Sequence, residues 1–292
     1  MKTNPTFDEL MLALEQPLKE FQKLQKRKKR QRLIRRIIIG LLIIIIIVYV
    51  SEYKEHSLFI VGILLVLMRM LGGSSSRKED KFWGDTIVSP ILNRLIEAGT
   101  YKGKRGMPEN MAMKNTFLSK YDNYKSSDLI EGRIGKVSYS IANIIIKESS
   151  GEESRISFQG VLFVANLAKR YDTRITVWFP ALVKKNEDQQ PEVTKGPSDR
   201  PVFGEFSEAW EVITKPIRNV LISLPESIVN QLRIEIYEHQ FMITVPRRYF
   251  QRYGSVEGIV SALEEDCMLI TAFTTIAGEL DSNPALWGKS TD

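Results

Sequence analysis

Cysteine and histidine are scarce in this chain, and their scarcity removes much of the usual enzyme chemistry. Cys267 is the single cysteine, so no disulfide can form within the chain, which fits a reducing compartment. The two histidines are His56, in a short polar turn, and His239, which we assign to a hairpin tip. Because these two side chains should not meet, we expect neither a zinc site of histidine ligands nor a histidine-based triad.

Acidic residues are absent from residues 21–36, where nine lysines and arginines lie. The whole chain has a net charge of +6, so the remaining residues sum to 6 − 9 = −3. The basic pI of about 9.2 therefore belongs to one segment. A nucleic-acid-binding domain is expected to carry a basic face of its own, and we do not predict nucleic acid as a partner.

Charge is also absent from the long apolar run that follows the basic segment. Ile37–Val50 holds fourteen residues without a charge. Counting from Leu33 to Tyr53 gives twenty-one residues, because Arg35 and Arg36 can snorkel to the lipid headgroups. Roughly 20 residues suffice to cross a hydrocarbon core. We therefore predict a first membrane span at residues 33–53.

A second apolar run, Ser57–Gly73, has seventeen residues and follows after only the polar segment Ser51–His56. Two spans joined by so short a turn predict a transmembrane hairpin at residues 33–73. A signal peptide is disfavoured because the run begins late and lacks a small-residue cleavage site. A pair of buried core helices would need apolar neighbours on every side. A single span with an interfacial second helix remains the other alternative.

The basic residues beside the first span predict the orientation of the hairpin. They are Lys26, Arg27, Lys28, Lys29, Arg30, Arg32, Arg35 and Arg36. By the positive-inside rule they keep the N-terminus in the cytoplasm, and a hairpin returns the following domain to the same side. Each would also attract anionic lipid headgroups by about 1 kcal/mol. We predict a multi-pass protein of the cell membrane, whose partners are the bilayer and a cytoplasmic protein or a second copy.

Residues 1–32 form the region before the hairpin, and residues 6–24 have the pattern of an amphipathic helix. Phe7, Met11, Leu14, Leu18 and Phe21 form one apolar stripe. Pro17 is expected to kink this helix. The stripe can pack on the domain, lie on the membrane surface or pair with a copy of itself.

Residues 77–292, after the flexible linker Gly72–Ser76, are predicted to form a mixed, mainly antiparallel α+β domain. Helices are predicted at Phe82–Ala98, after Pro225 with Ser223 as a cap, and at Val256–Leu280. If the last helix restarts at Glu264, Glu265 and Asp266, these acids suit its positive end. Loops are predicted at Tyr101–Glu109 and Pro180–Glu205. Short β-branched runs predict strands at Gly135–Tyr139, Ala142–Lys147, Ser157–Val164 and Arg174–Phe179, and a hairpin at Arg233–Tyr237 and Phe241–Val245.

Catalytic or cofactor-binding motifs are not found, so no cofactor is predicted. Cys267 is interpreted as a buried structural thiol. Asp128 with Glu131, and the pair Glu152–Glu153, are carboxylates that could bind a divalent cation, although turns and strand ends commonly carry such residues. The glycine pairs at 103 and 106 and at 132 and 135 are interpreted as turns, because neither leads from a strand into a helix.

The order of these elements resembles a bacterial family of membrane proteins catalogued as domain of unknown function 3137. The resemblance covers about residues 20–280. It rests on two apolar segments, Asp128 followed by Gly132, Phe158-x-Gly160 before an apolar strand, and Leu221–Pro225 before a paired-strand segment. It implies a membrane location and an α+β domain, and no activity.

Taken together, these features predict a membrane-anchored binding or scaffold module without enzymatic activity. The alternatives are a membrane-tethered enzyme that uses a metal or carboxylates, and a lipid-binding domain. The first would show acids that converge in a pocket, whereas binding would show a shallow apolar groove.

Overall fold

The computed structural model describes residues 7–52, 81–96, 99–115, 118, 122–150, 153–178, 206–250 and 256–287. The second predicted span, the linker at 72–76 and the loop at 180–205 lie outside these residues. The chain divides into two compact units. The helical unit holds Thr6–Pro90 and Tyr253–Gly258, and the sheet unit holds mainly Ile91–Arg252 and Ile259–Asp292.

Helix α1, Phe7–Glu52, is a single helix of 46 residues. The predicted amphipathic helix and the predicted first span are therefore one element, without a break near residue 33. Pro17 lies inside α1 and does not end it. The turn predicted from Ser51 is wrong at its start, because Ser51 and Glu52 are still helical, and its other residues lie outside the described part. Within the described part of the chain, no helix combines the length and apolar character of a membrane span.

The helical unit continues with the π-helix Trp83–Val88, which leads into α2, Ser89–Leu95. This confirms the predicted helix as far as Leu95. The Ser89 hydroxyl donates to the carbonyl oxygen of Gly84, five residues earlier, at 2.8 Å and supports the wider π turn.

Three residues of the apolar stripe of α1 are buried, and one of them, Phe21, packs on aromatic residues of the same unit. Leu14, Leu18 and Phe21 are each at most 3% exposed. The ring of Phe21 lies 4.8 Å from that of Trp83 and 6.3 Å from that of Phe82, measured between centroids. We call Phe21, Phe82 and Trp83 the aromatic clasp. Of the three roles left open for the stripe, the aromatic clasp favours packing on residues of the predicted 77–292 domain.

The sheet unit is built on five antiparallel strands in the order β1-β2-β3-β4-β5, so each strand pairs with the next along the chain. The α+β class is confirmed. The strands are β1 Gly99–Lys102, β2 Asn123–Ile134, β3 Val137–Ser150, β4 Glu153–Trp178 and β5 Arg233–Val245.

Helices cover both faces of this sheet. The short α3, Glu109–Ala112, lies with a cluster on one face that includes Met107, Leu118, Ile144, Leu162 and Met242. On the other face, α7, Val256–Ser282, stacks Phe273 on Phe163 at 4.8 Å. Helices α4 Phe206–Val212, α5 Lys215–Ile222 and α6 Glu226–Val229 precede β5, and a 3-10 turn, Pro284–Leu286, follows α7.

Several predicted strand boundaries are wrong because the strands are longer than their β-branched runs. The strands predicted at Gly135–Tyr139 and Ala142–Lys147 form one strand, β3, and Gly135 lies in the turn before it with a φ of 54°. The two runs predicted within 157–179 belong to the continuous β4. The predicted loop at Tyr101–Glu109 begins too early, since Tyr101 and Lys102 pair with β2. Most of β2 was not predicted.

Three further predictions in the C-terminal half are wrong. The hairpin predicted at 233–245 is the single strand β5. At the expected turn, Glu238 takes a φ of 52° and pairs with an irregular part of β4, and the strand continues beyond it. Ser223 ends α5 by donating to the carbonyl oxygen of Val220 at 2.7 Å, rather than beginning α6. Because α7 is continuous from Val256, the helix does not restart at Glu264–Asp266. The helix dipole acts mainly on the first turn, and these acids lie beyond it.

Candidate functional site

The predicted topology residues form a basic collar on α1, defined as Lys26, Arg27, Lys28, Lys29, Arg30, Arg32, Arg35 and Arg36. All lie on one continuous helix. Lys28 is half-buried and the other described side chains are exposed; the side chain of Arg35 lies outside those described. Since each residue of an α-helix turns by about 100°, the five consecutive residues 26–30 point to all sides of the helix.

Beyond the collar, α1 exposes large apolar side chains. Leu33 and Ile44 are each 58% exposed, and five others are similarly exposed: Ile34, Ile37, Ile38, Leu41 and Ile43. Isolated apolar residues on a protein surface are ordinary, but a contiguous apolar surface of this extent is typical of an interaction site. The arrangement thus joins a charged collar to an apolar helix surface along one axis.

A second candidate site, in the sheet unit, was missed by the sequence reasoning. Asn143 on β3 binds the backbone of Tyr249 through both ends of its amide. Its Nδ2 donates to the Tyr249 carbonyl oxygen at 3.0 Å, and its Oδ1 accepts from the Tyr249 N–H at 3.0 Å. We call residues 246–250, which follow β5, the strap, and this set of contacts the polar lock. Asn143 thus forms with the strap backbone the pair of hydrogen bonds that an adjacent strand would otherwise form.

Asp128 extends the polar lock to β1 and β2. Its carboxylate accepts from the Tyr101 hydroxyl at 2.8 Å, the Ser127 hydroxyl at 2.7 Å and Nδ2 of Asn143 at 3.0 Å. Its carbonyl oxygen accepts from the Tyr249 hydroxyl. Asp128 has a φ of 57°, and the pairing of β2 with β3 shifts register here. Aspartate tolerates this left-handed conformation better than most residues because its side chain can form local hydrogen bonds.

Asp266 of α7 holds the other end of the strap. One carboxylate oxygen accepts from the Phe250 N–H at 2.6 Å, and the other accepts from Nη2 of Arg247 at 3.3 Å. Arg247 also pairs with Glu265. Burial raises the pKa of Asp266 to about 7, against the opposing effect of the Phe250 N–H and Arg247. Phe250 has a φ of 52°, so a strained backbone position is tied to this carboxylate.

Burial also determines the behaviour of the aromatic and thiol groups near the polar lock. It raises the pKa of Tyr249 well above its usual value, with a further contribution from Asp128. It raises the pKa of Cys267 to about 12, so the thiolate that a nucleophilic cysteine needs is disfavoured. Cys267 is buried, as predicted.

The structure does not join Asp128 and Glu131 in a metal site. Asp128 is bound by the donors of the polar lock, whereas Glu131 pairs with Lys102 of β1. Of the other predicted pair, Glu153 begins β4 and Glu152 lies outside the described residues. Across the part of the chain that is described, no three His, Cys, Asp or Glu residues are placed to hold a metal ion.

His239 lies within strand β5 and not at a hairpin tip, which corrects its predicted position. Its Nδ1 lies 3.1 Å from the carbonyl oxygen of Ala168 on β4. His56 lies outside the described residues. No spacing in the sequence links Asn143 to Tyr249, 106 positions away. The one available signal was an asparagine within the otherwise apolar run of β3.

Two glycines that carry the family resemblance have structural reasons in this unit. At Gly132 a Cβ would overlap the ring of Tyr139, its pairing partner on the neighbouring strand β3. At Gly160 it would overlap the carbonyl oxygen of Val245 and the backbone of Pro246, where the strap begins. Both glycines therefore permit close approach between neighbouring parts of the sheet unit.

Comparison with known proteins adds no identity, since no family model, no curated protein and no solved structure matches this chain. The resemblance to the membrane-protein family stays a prediction.

Proposed function

We propose that this protein is a membrane-anchored binding or scaffold module without enzymatic activity. Residues 33–73 are its transmembrane hairpin, and its N-terminus and sheet unit share the cytoplasmic side. The observation that carries the proposal is the aromatic clasp. Because Phe21 contacts Trp83, the chain that leaves α1 at Glu52 comes back beside the N-terminal half of α1 by residue 83.

The lengths on the two sides of this return agree with a hairpin. From Phe21 to Glu52 a helix rises about 46 Å, at about 1.5 Å per residue. The 28 residues 53–80 have to cover the same distance back. A helix over residues 57–73 would span about 26 Å, and residues 74–80, if extended, would add about 23 Å, so one helical pass with a short linker covers this distance.

Solvent exposure of the upper part of α1 adds further support. An apolar helix surface in water is unfavourable by about 25 cal/mol per Å² of apolar area. Leu33, Ile34 and the exposed residues from Ile37 to Ile44 present such a surface beside and after the last collar residues, Arg35 and Arg36. A bilayer would cover this surface and place the charges beside its headgroups.

Charge supports the cytoplasmic orientation. Nine basic residues precede the apolar run, whereas Ser51–His56 has a net charge of −1 with His56 neutral. Moving basic residues outward across the membrane potential costs about 2.3 kcal/mol per charge per 100 mV. The collar therefore favours an inside position for the N-terminus, and the hairpin carries the sheet unit to the same side.

Thiol labelling in intact cells tests this topology. With Cys267→Ser as background, one variant carries Lys54→Cys and another carries Ser198→Cys. A membrane-impermeant maleimide should label position 54 and leave position 198 unlabelled until the cells are lysed. Labelling of position 198 in intact cells would refute the orientation, and labelling of both would mean that only one segment crosses.

A further inference from the structure

We infer that the five consecutive residues Lys26–Arg30 bind the phosphate-bearing headgroups of anionic phospholipids around α1. The inference deepens the proposed function and rests on its membrane anchor. It separates these five residues from Arg32, Arg35 and Arg36, which lie closer to or within the apolar run.

Axial position is the first argument. Taking Leu33 as the edge of the hydrocarbon core, Lys26–Arg30 lie about 5–11 Å below that edge. The headgroup layer on each side of a bilayer is about 5–8 Å thick. The five residues thus start within this layer and extend just beyond it, within about one Debye length of the surface at physiological salt.

The direction of the charges is the second argument. Lys28 lies seven residues after Phe21, on the packed side of α1, and is half-buried accordingly. Lys26, Arg27, Lys29 and Arg30 are exposed on the remaining sides. A helix that lies flat on a membrane segregates its charges to one side. Charges on several sides instead suit a helix that passes upright through the headgroups.

The character of the side chains is the third argument. Lys and Arg donate charge-assisted hydrogen bonds to phosphate oxygens, and arginine can do so with two parallel bonds. Residues 21–36 contain no acid, so this segment of the sequence carries charge of one sign. Aromatic side chains, on which the bases of single-stranded nucleic acid stack, are absent between Lys23 and Arg36. Lipid phosphate is thus favoured over a nucleic acid.

Energy transfer in proteoliposomes tests this inference with the full chain. Gln31→Cys, in a Cys267→Ser background, carries a fluorescent donor, because Gln31 is exposed beside the five residues. The vesicles are phosphatidylcholine with a minor fraction of phosphatidylglycerol, and either lipid bears the acceptor. We expect labelled phosphatidylglycerol to be enriched about fivefold over labelled phosphatidylcholine near the donor, the preference that one basic side chain at the surface confers.

Replacing all five residues by glutamine, which preserves helix propensity, should remove much of this enrichment, although Arg32, Arg35 and Arg36 remain near the surface. The matched control replaces five exposed basic residues of the sheet unit by glutamine and should leave the enrichment unchanged: Lys104, Arg105, Lys125, Arg155 and Lys215. Salt at about 1 M should remove it as well, since screening then acts within about 3 Å. If the five-residue variant does not enter vesicles, Lys29→Gln with Arg30→Gln should still lower the enrichment.

Three outcomes would overturn the inference. One is equal enrichment in the five-residue variant and the parent. Another is loss of the enrichment on adding inorganic phosphate at constant ionic strength, which would mean a site for free phosphate. The third is binding of duplex DNA that depends on these residues, without preference for the anionic lipid. Extraction of the parent chain by alkaline carbonate would instead refute the anchor itself, so the two failures are distinguishable.

Discussion

Asp266 combines a nearly complete loss of solvent contact with a pKa close to neutrality. Asp266 is 1% exposed, and its two carboxylate oxygens accept hydrogen bonds from the Phe250 N–H and from the guanidinium of Arg247. Burial alone would keep such a carboxyl protonated, while these two donors favour its charged form. The balance makes Asp266 the residue through which pH acts on the strap.

The pKa of Asp266 predicts a specific dependence of stability on pH. Its folded-state pKa of about 7 lies above the ordinary value of 3.8, so the folded protein binds the proton more tightly. The resulting stabilisation is complete below about pH 4 and is lost as the pH rises to about 7. This change in the free energy of unfolding amounts to about 4 kcal/mol at most.

Asp266→Asn should remove this component, because asparagine does not titrate but can still accept from the Phe250 N–H. Urea denaturation of the full chain in detergent, followed by near-ultraviolet circular dichroism between about pH 5 and about pH 8, measures it. The parent should lose stability with rising pH and the variant should change less. Equal pH slopes would contradict the assignment.

Helix α1 is the element on which both proposals depend, and the aromatic clasp fixes its lower part. Phe21 is fully buried between Phe82 and Trp83. Deleting a buried phenylalanine ring typically costs about 3–5 kcal/mol. Since the clasp joins only two helical segments, this cost should fall on local opening of α1 rather than on the sheet.

Phe21→Ala should therefore make the N-terminal part of α1 much easier to cleave. Trypsin cuts after Lys19 and Lys23 only when the helix opens, so we expect cleavage there to accelerate at least about a hundredfold. Leu24→Ala is the matched control, because Leu24 is 37% exposed and its loss should change the rate little. Equal rates for the two variants would show that Phe21 does not hold α1 closed.

The sequence predicts elements well where one period persists and poorly where the backbone interrupts it. Helix α7 was predicted to within two residues at its C-terminal end because its apolar stripe is long. The positive φ of Glu238 interrupts the alternation of β5, so one strand was predicted as two. The hydrogen bonds that hold the strap could not be predicted, because Asn143, Tyr249 and Asp266 come from separate elements that approach one another only in the folded sheet unit.

At the scale of the whole molecule, the sheet unit should fold without the hairpin. It accounts for most of the chain after Ile91 and contains its own core on both faces of the sheet. Residues 77–292, produced alone, should be soluble, give a mixed helix and strand spectrum by circular dichroism and melt in one cooperative transition. A disordered spectrum would contradict the independence of this unit.

The order of the strands also has a consequence for synthesis on the ribosome. Because every strand pairs with its predecessor, the sheet can grow in step with translation, although partners in β4 and β5 such as Val161 and Val245 lie far apart in sequence. Helix α7, which places Phe273 on Phe163, is made only after the last strand. One apolar face of the finished sheet is therefore uncovered until α7 has been made, a period in which nascent chains are prone to aggregate.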